Sequence, residues 1–182
     1  LDRHGKPVKV VKFAADITAR KNHAADHAAK IDAISRAQAV IEFELNGTIL
    51  TANDNFLATL GYRLDEIQGR HHRMFVDPAF AASAEYEQFW QRLRAGEFVA
   101  ADFQRIGKGG REVWIQASYN PVFDANGKPV KVVKFATDIT ERKRAEVVIQ
   151  MLMSSLGRMA GGDLGGHIEQ TFTGEYEALR NA

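Results

Sequence analysis

The sequence predicts an antiparallel α+β fold with the element order β-β-α-α-α-β-β-β. Three observations carry this. Short apolar runs alternate with polar residues in the strand period of two at 40–45 and 113–120. A run at 83–94 instead places Tyr86, Phe89, Trp90 and Leu93 at i, i+3, i+4 and i+7, one face of a helix. Asn-Gly dipeptides at 46–47 and 126–127 join the strand-like runs, as tight hairpin turns do.

The elements follow in chain order. Residues 19–38 are Ala-rich with neither Gly nor Pro, so a linker helix is expected over 19–37. In 40–45, Ile41, Phe43 and Leu45 share one strand face and Glu42 and Glu44 the other. Asn46-Gly47 turns the chain into a second short strand at 48–51. Asn53 or Asp54 can cap a helix carrying Phe56, Leu57, Leu60 and Tyr62, and 64–68 gives a further helical turn closed by Gly69. His71-His72-Arg73-Met74-Phe75 and a break at Pro78 precede the helix at 83–94. Strands at 98–106 and 113–123 are joined by the glycine-rich loop 107–110, and Asn126-Gly127 leads to the last strand, 129–137. Asp138-Ile139-Thr140 ends it, with Thr140 placed as the N-cap of a helix running on from Glu141.

Composition excludes several classes of function. The 182 residues are 45% hydrophobic and 26% charged, ordinary globular values. A net charge of +1 argues against a dedicated nucleic-acid binder. No apolar run approaches the ~18 residues of a membrane span. With no cysteine there is no disulfide, thiolate nucleophile or Cys-based metal site. No Ser-His-Asp grouping, carboxylate pair or phosphate-cradling loop falls in a recognisable motif, and 107–110 reads as a hairpin turn, so the chain is not expected to be an enzyme.

One segment occurs twice. Residues 1–20 and 123–142 are identical at fifteen of twenty positions, an offset of 122 that suits tandem domains. Residues 1–18 are therefore expected to be the terminal strand of a preceding repeat, able to pair with a sheet edge of a neighbour or to swap into its central slot.

The middle of the chain, 38–140, resembles a PAS domain. The likeness is carried by IEFELNGTILTANDNFLATLGY, LDEIQGRHHRMFVDP and RIGKGGREVWIQASYNPVFDANGKPVKVVKFATDIT. HHRMF and VKFATDIT are most similar to PAS domains of bacterial methyl-accepting chemotaxis receptors. The resemblance implies a five-stranded antiparallel sheet with helices on one face enclosing a pocket, flanked by N- and C-terminal helices. It also implies a cytoplasmic sensory role, in a protein that is soluble or membrane-anchored. The tail MAGGDLGGHIEQTFTGEYEALRNA is similar to the start of a HAMP-type module, so 141–182 is expected to be a signalling helix feeding a HAMP-like output. A downstream chemotaxis signalling domain is the implied partner. Histidine kinases and cyclases use similar outputs, and a cofactor-free dimerisation spacer is the alternative.

Several residues stand out as site candidates. His71 and His72 lie near the expected pocket mouth, with Phe75 and Trp90 beside them. In 113–120, Val113, Ile115, Ala117 and Tyr119 share the face that suits the pocket, while Trp114, on the other face, is an anchor for the N-terminal helix or a second subunit. Lys131 and Lys134 are three apart on the central strand, so one of them points inward. An unpaired buried ammonium is costly, so Lys134 is expected to meet an anionic partner or to be re-aimed by a bulge, with an anionic ligand held by Lys134 as the alternative, while Glu42 or Glu44 pairs with the outward lysine. Asp138 and Thr140 form the expected signal junction. Ala145, Ile149, Leu152, Leu156 and Met159 fall at spacings of 4, 3, 4 and 3, the a/d seam of a parallel coiled-coil homodimer.

Heme and FAD are the cofactors the resemblance brings into question. The proximal histidine of oxygen-sensor PAS domains would fall near Glu85, and 79–96 contains no His. In aerotaxis-type receptors a His follows Phe, yet Phe75 is followed by Val76, and Ala136 stands where those receptors carry a Trp. A cysteinyl flavin adduct is excluded by composition, while non-covalent FAD stays open. No metal site is expected from a lone His pair.

Overall fold

The computed structural model describes residues 3–4, 16 and 18–160. The expected strand at 1–18 and the HAMP-like segment after residue 160 lie outside the described residues, as does the side chain of Met159. Residues 1–37 and 38–182 are two separate compact units.

In the first unit, helix α1 (Thr18–Ala37) opens where the Thr18 amide donates to the Asp16 carboxylate at 2.8 Å. Asp26–Lys30 and Asp32–Arg36 pair one turn apart along its exposed surface. Such acid-before-base pairs each add roughly 0.3 kcal/mol to a helix.

The second unit runs β1 (Ala39–Phe43), β2 (Ile49–Ala52), α2 (Asp54–Leu60), α3 (Leu64–Ile67), α4 (Pro78–Ala81), α5 (Ala84–Arg94), β3 (Val99–Ile106), β4 (Glu112–Phe123), β5 (Pro129–Asp138) and α6 (Thr140–Ala160). The five strands form one antiparallel sheet in the order β2-β1-β5-β4-β3. The expected α+β architecture is therefore present, with β5 at the centre.

Local chemistry sets the boundaries. Asn53 is the N-cap of α2: its side-chain oxygen accepts from the Phe56 amide at 3.0 Å and from Val40 at 2.9 Å, tying the helix to β1. Ser83 caps α5 through the Tyr86 amide. Pro78 does not break the chain but opens α4 at its first position, where its missing N–H costs nothing and Asp77 caps Ala79 and Phe80. That helix, and a 3₁₀ turn at His72–Phe75, were not in the predicted order.

Strand parity places the core. On β4 Val113, Ile115, Ala117 and Tyr119 are buried, as are Val132, Lys134 and Ala136 on β5 and Ile41 and Phe43 on β1. Phe56, Leu60, Ile67, Phe75, Trp90 and Leu93, from the helical segments, close the same cluster. α6 instead meets β4 from the other side, where Trp114 points.

Candidate functional site

The interior beside β4 and β5 holds a polar cluster inside an aromatic shell. Its placement begins with the segment before the 3₁₀ turn. Gly69 and Arg70 exchange backbone hydrogen bonds with Ile49, and the His72 amide donates to the Gly47 carbonyl at 2.9 Å. This pairing holds the two adjacent histidines in different surroundings. The 3₁₀ turn then drives His72 inward, where it is fully buried, and leaves His71 half-buried at the rim.

His71 is a structural residue. Its Nε2–H donates to the Asn46 carbonyl at 2.7 Å, and its Nδ1 accepts from the Arg73 amide at 3.1 Å. Burial lowers its pKa, opposed by the Asn46 bond. Gly47 leaves it room: φ is +91°, and a Cβ there would stand 2.8 Å from His71 Nε2 and 2.9 Å from the Trp90 ring. Gly47→Ala is accordingly expected to destabilise the domain by about 2–4 kcal/mol, combining backbone strain with overpacking. Urea unfolding checks this, and an unchanged midpoint would contradict the close approach.

His72 joins two phenols. Its Nδ1 lies 2.9 Å from the Tyr86 hydroxyl and its Nε2 lies 3.0 Å from the Tyr119 hydroxyl. Arg105 Nη2 donates to the same Tyr119 oxygen at 3.1 Å, and its Nη1 donates to the Gln104 carbonyl at 2.7 Å. A guanidinium can only donate. Tyr119 therefore accepts from Arg105, and in the tautomer with the His72 proton on Nδ1, toward Tyr86, the Tyr119 hydroxyl donates to Nε2. The electrostatics agree with a neutral His72. Burial, reinforced by the charge of Arg105, holds the His72 pKa well below its ordinary value. Burial also raises the Tyr119 pKa and pushes Tyr86 up to about 12.

Lys134 lies directly across from Tyr119 in the β4–β5 register and is fully buried. Two expectations for it are corrected. Its Nζ has no hydrogen-bond partner, anionic or neutral, and no bulge re-aims it, because β1–β5 pairing is regular through Ile41↔Lys134. The irregularity in β4–β5 falls between Val122 and Phe123 instead. Nζ rests over the Tyr119 ring at 5.0 Å and the Phe56 ring at 5.4 Å. Burial, with Arg105 adding to it, lowers its pKa well below the ordinary value. The outward lysine behaves as expected: Lys131 Nζ meets Glu42 at 2.6 Å.

The structure thus brings together six of the seven pocket candidates, His72, Phe75, Trp90, Ile115, Tyr119 and Lys134, all buried, and leaves His71 at the rim. Sequence reasoning missed Tyr86 as a polar partner and missed Arg105 altogether. Strand parity from Phe103 through Arg105 could have found it. Arg105 is 4% exposed, its guanidinium 4.6 Å from the Phe103 ring.

Heme finds no free histidine in this interior. Both ring nitrogens of His71 and of His72 are already hydrogen-bonded, so neither is free to ligate iron. Edge-to-face contacts such as Phe89–Tyr119 at 4.9 Å, Phe43–His72 at 5.3 Å and Phe43–Trp90 at 5.8 Å line the interior with aromatic rings. Among the described residues no three His, Cys, Asp or Glu converge as metal ligands.

The junction to α6 is a second constellation. The Asp138 carboxylate accepts from the Thr140 amide at 2.8 Å and the Thr140 hydroxyl at 2.6 Å, so Asp138, not Thr140, is the capping side chain. Thr140 Oγ1 accepts in turn from the Trp114 amide at 3.0 Å, and the Ile139 amide donates to the Trp114 carbonyl at 2.8 Å. Asp16 and Thr18, the equivalent pair in the repeat, make the same 2.8 Å contact at the start of α1. Trp114 is half-buried and is met by α6: Lys143 Nζ sits 5.5 Å from its ring centroid and bonds Asp102 of β3 at 3.0 Å. That bond lowers the Asp102 pKa.

Farther along α6 the predicted seam divides. Ala145 and Leu152 are half-buried beside buried Val148, whereas Ile149 and Leu156 are 56% and 64% exposed and continue a stripe with Met153. No described helix is long and apolar enough to cross a membrane.

Comparison with known proteins agrees with this architecture. The chain is 48% identical over 143 residues to the biofilm dispersion protein BdlA of Pseudomonas aeruginosa, an alignment covering 79% of this chain and 34% of that one. It is 30% identical over 104 residues to the aerotaxis receptor of Escherichia coli, covering 57% of this chain and 20% of the receptor. The chain thus spans about a third or less of the length of these relatives. A solved structure from work on a flavin analogue and light-oxygen-voltage domain mechanism superposes with a TM-score of 0.54 at 21% identity, over 70% of this chain and 96% of that one. The sequence profile described as the PAS fold matches residues 35–144, and the chain belongs to that family.

Proposed function

We propose that this PAS domain is a non-catalytic sensory module of a chemotaxis-type transducer, which passes the state of its interior through Asp138 and Thr140 into α6. The observation that carries the reading is the Thr140 hydroxyl, bonded at once to Asp138 at the end of β5 and to the Trp114 amide of β4. Trp114 sits between Val113 and Ile115, whose side chains enter the core, so a shift of β4 against β5 is felt first at the N-terminus of α6. The relatives' printed names, an aerotaxis receptor and a biofilm dispersion protein, support a signalling role. The open stripe of Ile149, Met153 and Leu156 suits parallel pairing with the α6 of a second copy, the two helices biasing a HAMP-like output between two registers.

The cofactor question goes against heme and against a cysteinyl flavin adduct here. The light-oxygen-voltage likeness is one of fold, the chain has no cysteine for an adduct, and both histidines of the site are already hydrogen-bonded at both ring nitrogens. Protein purified without added cofactor should show no Soret band.

The junction is tested in the intact transducer. Asp138→Asn keeps the shape but weakens the acceptor for the Thr140 amide and hydroxyl. It is expected to cost about 1 kcal/mol of cap energy and to shift signalling output several-fold, with the domain still folded by circular dichroism. Output and stimulus response equal to the parent's would contradict the role given to the junction.

A further inference from the structure

The buried polar side chains of the domain are His72, Arg105 and Lys134, with no carboxylate among them in the described residues. All three groups flank one phenol, Tyr119, from three elements: the 3₁₀ turn, β3 and β5. Three buried side-chain nitrogens have no partner, Arg105 Nε and Lys134 Nζ in this group and Trp90 Nε1 on α5. A guanidinium keeps its charge in a protein interior, and a charge removed from water is ordinarily paired. Here its acceptors are a backbone carbonyl and a phenol, both neutral. The interior therefore carries positive charge and unused donors without a counter-ion.

We propose that this cluster is a receptor site for a small carboxylate anion, held by Arg105 and Lys134 beside Tyr119. The inference rests on the sensory reading above and names the class of ligand sensed. A planar carboxylate matches the Nε–Nη2 edge of a guanidinium through two parallel hydrogen bonds. On Arg105 that edge offers an unpartnered Nε beside the Nη2 now on Tyr119. Taking it frees the Tyr119 hydroxyl from Arg105, so occupancy alters the Tyr119–His72–Tyr86 chain. Phe89 and Phe103, half-buried and in contact with Tyr119, are the side chains that must part for entry.

Lys134 makes the site proton-linked. The groups facing its amine are the Tyr119 and Phe56 rings, with the Arg105 charge nearby, and none is anionic. An arriving carboxylate supplies the missing negative charge, so Lys134 gains a proton as the anion binds. His72, bonded between Tyr86 and Tyr119, is the other titratable group in the cluster. Uptake of one proton makes affinity rise as pH is lowered, by up to about tenfold per pH unit, until the empty site itself is protonated.

The test uses the whole chain with sodium acetate and formate as probes, replacing chloride at constant ionic strength, by calorimetric titration and thermal shift. Saturable binding is expected, stronger at lower pH, with the dissociation constant raised at least ~10-fold in Lys134→Met and in Arg105→Gln. Lys134→Met should also lose the pH dependence. No saturable binding, or equal affinities in parent and both variants, would overturn the site. If acetate does not bind yet Asp138→Asn still changes output, the ligand assignment alone falls. Acetate binding with the expected dependences, alongside an inert Asp138→Asn, would leave the site standing and remove the signalling route.

Discussion

Lys134→Met is expected to make the domain more stable, not less. The amine is fully buried without a hydrogen bond, and methionine nearly matches its length and volume. Removing a buried, unsatisfied polar group should return about 1–3 kcal/mol, and in a domain of this size about 5 °C or more in Tm. The pH dependence has a definite sign. The folded-state pKa is lowered well below 10.5, so between that value and 10.5 the unfolded chain binds one proton more than the folded one. Parent stability therefore rises with pH across that window, by about 1.4 kcal/mol per unit, and is lost as pH falls toward the folded-state pKa. The advantage of Lys134→Met should be largest at low pH and shrink toward the ordinary lysine value. His72, also lowered, adds a second loss of the same sign below 6.5, which the variant retains. Urea midpoints measured at several pH values provide the check, and parallel profiles for parent and variant would refute a neutral buried Lys134.

Tyr119→Phe should have the opposite effect although it also removes a polar atom. The Tyr119 oxygen accepts from Arg105 and serves His72, so its loss strands two buried groups while relieving none. A destabilisation of about 3 kcal/mol is expected, dominated by the guanidinium left with one acceptor. A double substitution, Tyr119→Phe with Arg105→Met, should recover part of that loss, because the stranded charge is gone. Denaturant midpoints of the three proteins form the thermodynamic cycle, and strict additivity would show that Tyr119 does not satisfy Arg105.

These opposite signs show what sequence could and could not convey. The period of two placed Ile115 and Tyr119 inward, and the spacing of the two lysines showed that one must follow them. What lies across from Lys134 was illegible, because alternation reports a face and not the groups that meet there. Arg105 is hidden for a different reason: the run 98–106 does not alternate cleanly, so the strand is legible while the charge that shares a face with Phe103 is not. His71 and His72 are neighbours in sequence, and only the backbone pairing of 69–72 with 47–49 separates a rim residue from a core one. Pro78 read as a stop because proline both ends and begins helices, and the Asp77 cap decides for a beginning. The a/d seam of α6 was correctly apolar, but a one-dimensional spacing cannot tell that Val148 is covered while Ile149 is not.

The strand order has a consequence for how the domain is made. β2 and β1 form one hairpin and β3 and β4 another, and neither touches the other until β5 lies between them. β5 is the last of the five to leave the ribosome, so a nascent chain carries two half-sheets with open edges until residue 138 is out. The same strand that closes the sheet ends at Asp138, two residues before α6 begins. Assembly and the proposed output route therefore share one element: α6 can be seated on β4 only after β5 has been made, so an unfinished domain presents no seated helix to whatever follows it.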